Sequence, residues 1–198
     1  MMKNKSELLL GIYKDISLTE EEFKNVASKF ELITLDKGER LIKVGDTVYH
    51  QYYVYDGCLR SYLLDNVGKE HTLQFAVKDW WISDYIAYFS SSSAIMSIEC
   101  IQKSTVLKVS RKSMEQLYLQ IPKIATFNRA KLEKAYVYLQ MRVLKKLSTT
   151  AKERYISFIN TYPNIEQIVK NYHIASYLGI ATESLSRIRK EIADQKLN

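Results

Sequence analysis

The chain has 198 residues, nearly half of them hydrophobic, and a formal charge of +7. That is enough apolar material for one large domain or two small ones, and it excludes a mainly disordered chain. No apolar run nears the ~20 residues of a membrane span. The short run Leu8-Leu9-Leu10-Gly11-Ile12 meets Lys14 with no small-residue cleavage site, so neither a membrane helix nor a secretory signal is expected and the location expected is cytoplasmic.

The charge is unevenly placed. From Lys131 onward there are 12 Lys/Arg against 6 Asp/Glu, while the first 130 residues carry 17 against 16. A basic C-terminal third suits a phosphate backbone as partner, because neutralising phosphates releases counterions, although a solvated face reads the same way. Two cysteines, Cys58 and Cys100, rule out a disulfide framework and a four-cysteine iron–sulfur site within one chain. Buried free thiols are expected instead. His50, His71 and His173 are scattered, so no metal site is expected. A cupin-type metal enzyme would need His-x-His, and no nucleophile stands with a base, so no enzyme is expected.

In chain order, Ser17–Lys29 reads as a helix, with Ser17 or Thr19 as N-cap and acids in the first turn. From Glu31 the period changes to two. Short runs around residues 32–34, 41–43, 48–55, 58–64, 70–75, 95–99 and 105–109 are rich in Tyr, Val, Ile, Thr and Leu, as strands prefer. Turns at Lys37-Gly38, Gly45-Asp46, Asp56-Gly57 and Asn66-Val67-Gly68 separate them, which indicates a sandwich or roll.

After Ser110 the pattern is helical. Arg111–Gln120 is a short helix, and Pro122 suits the first turn of a long one reaching about Leu147. Leu132, Tyr136, Leu139, Val143 and Leu147 form one stripe of it; Phe127, Tyr138, Met141 and Leu144 form a second. Apolar residues on two faces need two partners. These are either the β-domain and a twin helix of a second chain, or, in a monomer, the rest of the fold. A hydroxyl of Ser148-Thr149-Thr150 can cap the next helix, Ala151–Asn160; a loop at 161–164 and further helices at Ile165–Asn171, His173–Leu178 and Thr182–Asp194 follow.

The sharpest motif spans Asn171 to Ile188. Ala175 permits close approach of two short helices, Gly179 supplies a positive-φ turn, and Ile174, Leu178, Ile180, Leu185 and Ile188 supply the shared core of a helix-turn-helix. With Thr182 as candidate N-cap, the outer face of the second helix presents Thr182, Glu183, Ser186 and Arg187 to base edges, and Arg189 and Lys190 to phosphates. Glu183 and Arg187 can alternatively form an i,i+4 ion pair on a solvated face.

Over about residues 32–192 the chain resembles the Crp–Fnr family, on Leu35-Asp-Lys-Gly38-Glu39, Val44-Gly45-Asp46, Tyr53-Val54-Tyr55-Asp56-Gly57, Tyr62-Leu63-Leu64-Asp65, Gly68-Lys69-Glu70 and the Glu183-x-x-Ser186-Arg187 reading pattern. The resemblance implies an α+β chain with an N-terminal double-stranded β-helix (β-roll) sensor domain, 1–121, a dimerisation helix, 122–147, built on Leu132, Tyr136, Leu139 and Val143, and an all-helical DNA-binding domain, 148–198. It implies a homodimer reading an inverted repeat of TTGA-like half-sites in double-stranded DNA, with RNA polymerase and a small-molecule effector as further partners. A sensor of the same fold without DNA binding is the alternative. The family's β-hairpin wing after the reading helix is not evident in Gln195-Lys196-Leu197-Asn198.

No cofactor is expected, and the effector is unidentified. The stretch resembling the cyclic-nucleotide cassette has Ile82 for its glycine, Ser83 for its glutamate and no arginine in Ser91-Ser92-Ser93-Ala94, so cAMP and cGMP are not expected. Trp80, Trp81, Ser83 and Tyr85, with Phe89, either line a more apolar effector pocket or form an aromatic core beneath a loop.

Overall fold

The computed structural model describes residues 4–197, so Met1 to Lys3, which open the segment weighed above as a signal, and Asn198, the last residue after the reading helix, lie outside the described residues. Eight α-helices and six strands are described. Helices α1 (Lys5–Ile12) and α2 (Glu20–Lys29) come first. Strands β1 (Phe30–Leu35), β2 (Arg40–Ile42), β3 (His50–Leu64), β4 (Glu70–Ala76) and β5 (Trp80–Ile82) follow, then α3 (Tyr85–Ser90) and β6 (Ser97–Ser110). Helices α4 (Arg111–Gln120), α5 (Pro122–Ser148), α6 (Ala151–Thr161), α7 (Asn171–Leu178) and α8 (Thr182–Leu197) complete the chain. None of the described helices is long and apolar enough to cross a membrane.

The strands form one six-stranded sheet in the order β1-β6-β3-β4, with β2 also on β6 and β5 also on β3; the sheet does not close on itself. β1 runs antiparallel to β6 from Phe30↔Val109 to Leu35↔Ser104. Both faces of the sheet are apolar. Alternate residues Val54 and Val106 join a core with Leu35, Leu59, Ile82 and Ile98. Their neighbours Tyr53 and Leu107 join another with Phe30 of β1 and Leu9, Val26, Leu117 and Ile124 from the flanking helices. Period-two alternation thus sorts one strand into two cores.

Several expectations change. The breaks at Asp56-Gly57 and after Glu99 are absent, and β3 and β6 run 15 and 14 residues without interruption. Gly57 lies in β3 at φ 100°, where an added Cβ would fall 2.1 Å from Ser104 Oγ. Ser104 Oγ also accepts the Cys58 N–H at 3.0 Å. The glycine therefore kinks a strand and does not end it. Thr19, with Glu22 in reciprocal hydrogen bonds, caps α2, so the helix starts at Glu20 and not Ser17. The expected helix at Ile165–Asn171 is only a 3₁₀ turn, Ile165–Gln167, before α7. α1, β5 and α3 were not anticipated.

By contacts the chain divides into two units: Met1–Ser61 with Phe75–Tyr136, and Tyr62–Gln74 with Val137–Asn198. The second unit contains the tip of the β3–β4 hairpin, the distal half of α5, and α6 to α8.

Candidate nucleic-acid interface

In the second unit, α6 is closed at its start by a capping box of Thr150 and Glu153. Gly179, at φ 69° and ψ 37°, ends α7 with its N–H on the Ala175 and Ser176 carbonyls, and Ile180 N–H returns to the Ala175 carbonyl. This is the left-handed helix stop that a glycine makes without strain. Leu185 N–H then bonds the Ala181 carbonyl, so α8 begins at Thr182. Thr182 is therefore the first helical residue and not the cap; its carbonyl accepts from Ser186 Oγ.

Ile174, Ala175, Leu178, Leu185 and Ile188 are buried, with Ile180 half-buried, and these bind the two helices to one another. Rotation by 100° per residue then fixes the rest: Glu183, Ser186, Arg187 and Lys190 are exposed and Thr182 is half-exposed at the start of the helix. Among the described residues neither Glu183 nor Arg187 has an ion-pair partner, so the i,i+4 pair is not formed. The outer face carries donors and acceptors of the kind that fit base edges.

Arg189 differs from its neighbours. It pairs with Glu166, donates to Asn171 Oδ1 at 2.5 Å and to the Tyr155 hydroxyl at 3.3 Å, and lies over the Tyr155 ring. Its guanidinium braces α8 against α6, α7 and the 3₁₀ turn and is not turned outward, whereas Lys190 is exposed. Burial, with the carboxylate of Glu166 that it donates to, holds the Tyr155 hydroxyl above its usual range.

The long helix α5 has 27 residues, about 40 Å at 1.5 Å per residue. Ile124 and Phe127 near its start belong to the helix-covered core of the first unit. Beyond Arg129 only Tyr138, Arg142 and Lys145 are half-buried. Leu132 and Tyr136 are each 60% exposed, Leu139 46%, Val143 53% and Leu147 80%. A run of large apolar residues this open, along one face of a helix, is more than scattered surface hydrophobes.

The four residues grouped as an effector pocket do not converge. Trp80 and Tyr85 pack against one core, while Trp81 meets Tyr53 edge-on and Phe30 at a tilt in the other, because successive strand residues face opposite ways. Ser83 is buried and donates to the His50 carbonyl. Trp80, Trp81 and Tyr85 are half-buried against the cores, and Phe89 is exposed.

The residue next to them was missed by sequence reasoning. Asp84 is fully buried; one oxygen accepts the Ala87 N–H at the start of α3, and the other accepts the N–H groups of Ile95 and Met96 at 2.8 and 3.0 Å. These three backbone N–H groups are thus held by the protein's own carboxylate. With Ile82, Ser83 and the arginine-free 91–94 loop beside it, the site does not fit a cyclic nucleotide.

Both cysteines are buried and free. Burial pushes the Cys58 thiol up to about 12 and raises that of Cys100, so neither is poised to ionise. His71 sits 2.8 Å from Asp65, and His173 is buried near Glu70. No cluster of three metal-ligating side chains forms among the described residues.

Known proteins agree with this architecture. Residues 32–120 match the cyclic nucleotide-binding domain family. The chain is similar to the transcriptional activator protein Anr of Pseudomonas protegens, at 22% identity over 165 residues, covering 78% of this chain and 67% of that protein. Among solved structures it is similar to FixK2 from Bradyrhizobium japonicum (TM-score 0.73, 20% identity, covering 84% of this chain and 86% of that one). It is also similar to CLP of Xanthomonas campestris, described as c-di-GMP responsive (TM-score 0.70, 13% identity, 90% and 94% covered), and to CooA from Carboxydothermus hydrogenoformans (TM-score 0.69, 16% identity, 94% and 84% covered). The sheet unit is thus a cyclic nucleotide-binding-type domain. The chain as a whole shares its fold with these proteins, in line with the Crp–Fnr resemblance that its motifs carry.

Proposed function

We propose that this chain is a sequence-specific DNA-binding transcription regulator, working as a cytoplasmic homodimer on an inverted repeat. The observation that carries it is the outer face of α8. Glu183, Ser186 and Arg187, with Thr182, stand free over a helix anchored by Leu185 and Ile188, and Lys190 stands beside them for a phosphate. Arg187 can bond a guanine edge bidentately and Glu183 can accept from cytosine N4. Two such helices are needed to read two half-sites, and the open stripe Leu132, Tyr136, Leu139 and Val143 on α5 is the surface that would join two chains. In this reading 1–121 is the sensor, 122–147 the dimerisation helix and 148–198 the reading head. RNA polymerase is a further partner. Anr is named a transcriptional activator and CLP a global regulator, which supports regulation as the role, and control is not by cyclic nucleotide.

The test is selection of bound sites from random duplex DNA, followed by affinity measurements across a salt series. Binding should weaken steeply with salt, and recovered sites should be two-fold symmetric. Arg187→Ala should relax discrimination at one base position in each half-site by about 1–3 kcal/mol. Uniform binding of every sequence by both proteins would remove Arg187 from the reading role.

A further inference from the structure

The β3–β4 hairpin leaves β4 at the edge of the sheet, with backbone groups unmatched by a strand. A side chain of α7 bonds that strand. Ser176 Oγ, on α7, accepts the Thr72 N–H at 2.9 Å and donates to the Glu70 carbonyl at 2.7 Å. The two backbone groups point to the same side of β4, and a single hydroxyl satisfies both. Ser176 shares a face of α7 with His173 and Tyr177, one turn apart. His173 lies 3.7 Å from the Glu70 carboxylate. Arg142 of α5 covers the Tyr177 ring, 4.5 Å from its centre, and donates to the Leu73 carbonyl. Tyr177 in turn shares hydroxyl hydrogen bonding with Tyr138 of α5. Hairpin, α5 and α7 are therefore joined through the side of α7 that does not carry the α8 contacts. Thr182, Glu183, Ser186, Arg187 and Lys190 stay uncovered.

From this geometry we infer that Ser176 is a positioning residue for DNA reading. Its hydroxyl locks α7, and with it α8, against the β3–β4 hairpin in the orientation that presents the reading face. The inference rests on the DNA-binding reading above. Loss of the hydroxyl frees the helix pair to sample other orientations, and apparent affinity falls with the fraction of chains still in the competent one. Contacts to phosphates and bases within the head are unchanged.

Two measurements on the full chain test it. In hydrogen exchange, Ser176→Ala should speed exchange of the Thr72 amide at least tenfold, with the melting temperature nearly unchanged, and Ser176→Thr should restore protection. In binding to a duplex carrying two inverted TTGA half-sites, Ser176→Ala should bind roughly tenfold more weakly with the same salt slope and base preference, and Ser176→Thr should recover. An unprotected Thr72 amide in the wild-type chain overturns the contact. Faster exchange with unchanged or tighter duplex binding overturns the positioning role. A wild-type chain that binds no duplex, whether this one or a random pool, defeats the DNA-binding reading and this role with it; the exchange result would still report separately on the contact.

Discussion

Inside the sheet the apolar strand residues of the first unit have destinations: Val54 and Val106 go to one core, Tyr53 and Leu107 to the other, and the buried Asp84 carboxylate beside them is held by backbone donors. Along α5 beyond Arg129, and on α8, the opposite holds. Large apolar side chains and a row of charged ones stand open, although each lies on an element whose other face is anchored. Both regions follow the same folding rules. The difference is that the sheet has filled its faces within one chain, whereas the helices leave faces unfilled by it. A folded core explains stability; an anchored element with an unfinished face is where function is to be sought.

That contrast can be broken at either end. The largest effect is expected in the sheet. Gly57→Ala places a Cβ against Ser104 at a φ that other residues rarely adopt, and should destabilise the fold by about 3 kcal/mol or more. A thermal melt should show the midpoint falling by roughly 10 °C. On the open side, Leu139→Asp with Val143→Asp should leave the melt almost unchanged while shifting sedimentation to single subunits. Duplex binding should weaken about a hundredfold, as linked half-site binding is lost. An unchanged sedimentation profile would show that the stripe joins nothing. The smallest effect sharpens the comparison within the head. Thr150→Ala removes the α6 cap and should cost about 1 kcal/mol, read as a drop of roughly 2–4 °C.

Local chemistry was legible in the sequence. The Thr19–Glu22 capping box, Pro122 at the start of α5 and the Gly179 stop between α7 and α8 are each specified within a few residues, and the structure has them at those places. The period of α8 placed Glu183, Ser186, Arg187 and Lys190 on its exposed side. What stayed hidden depends on residues far apart in the chain. Gly57 looks like a turn until Ser104, 47 positions on, is seen packed against it. Trp80 and Trp81 look like one pocket until the strand is known to have two buried faces. Arg189 looks like Lys190 until Glu166 and Tyr155 close around it. Ser176 carries no local signal, because its partners are backbone groups of β4, up to 106 positions away, and of the Asp84 bonds only the one to Ala87 is local.

The bare stripe on α5 bears on how such a regulator would respond in a cell. If two chains must meet before both half-sites can be gripped, the population of working complexes at low abundance grows as the square of the amount of protein present. A modest change in its synthesis or turnover would then become a steeper change in promoter occupancy, giving a threshold response with no signalling molecule required.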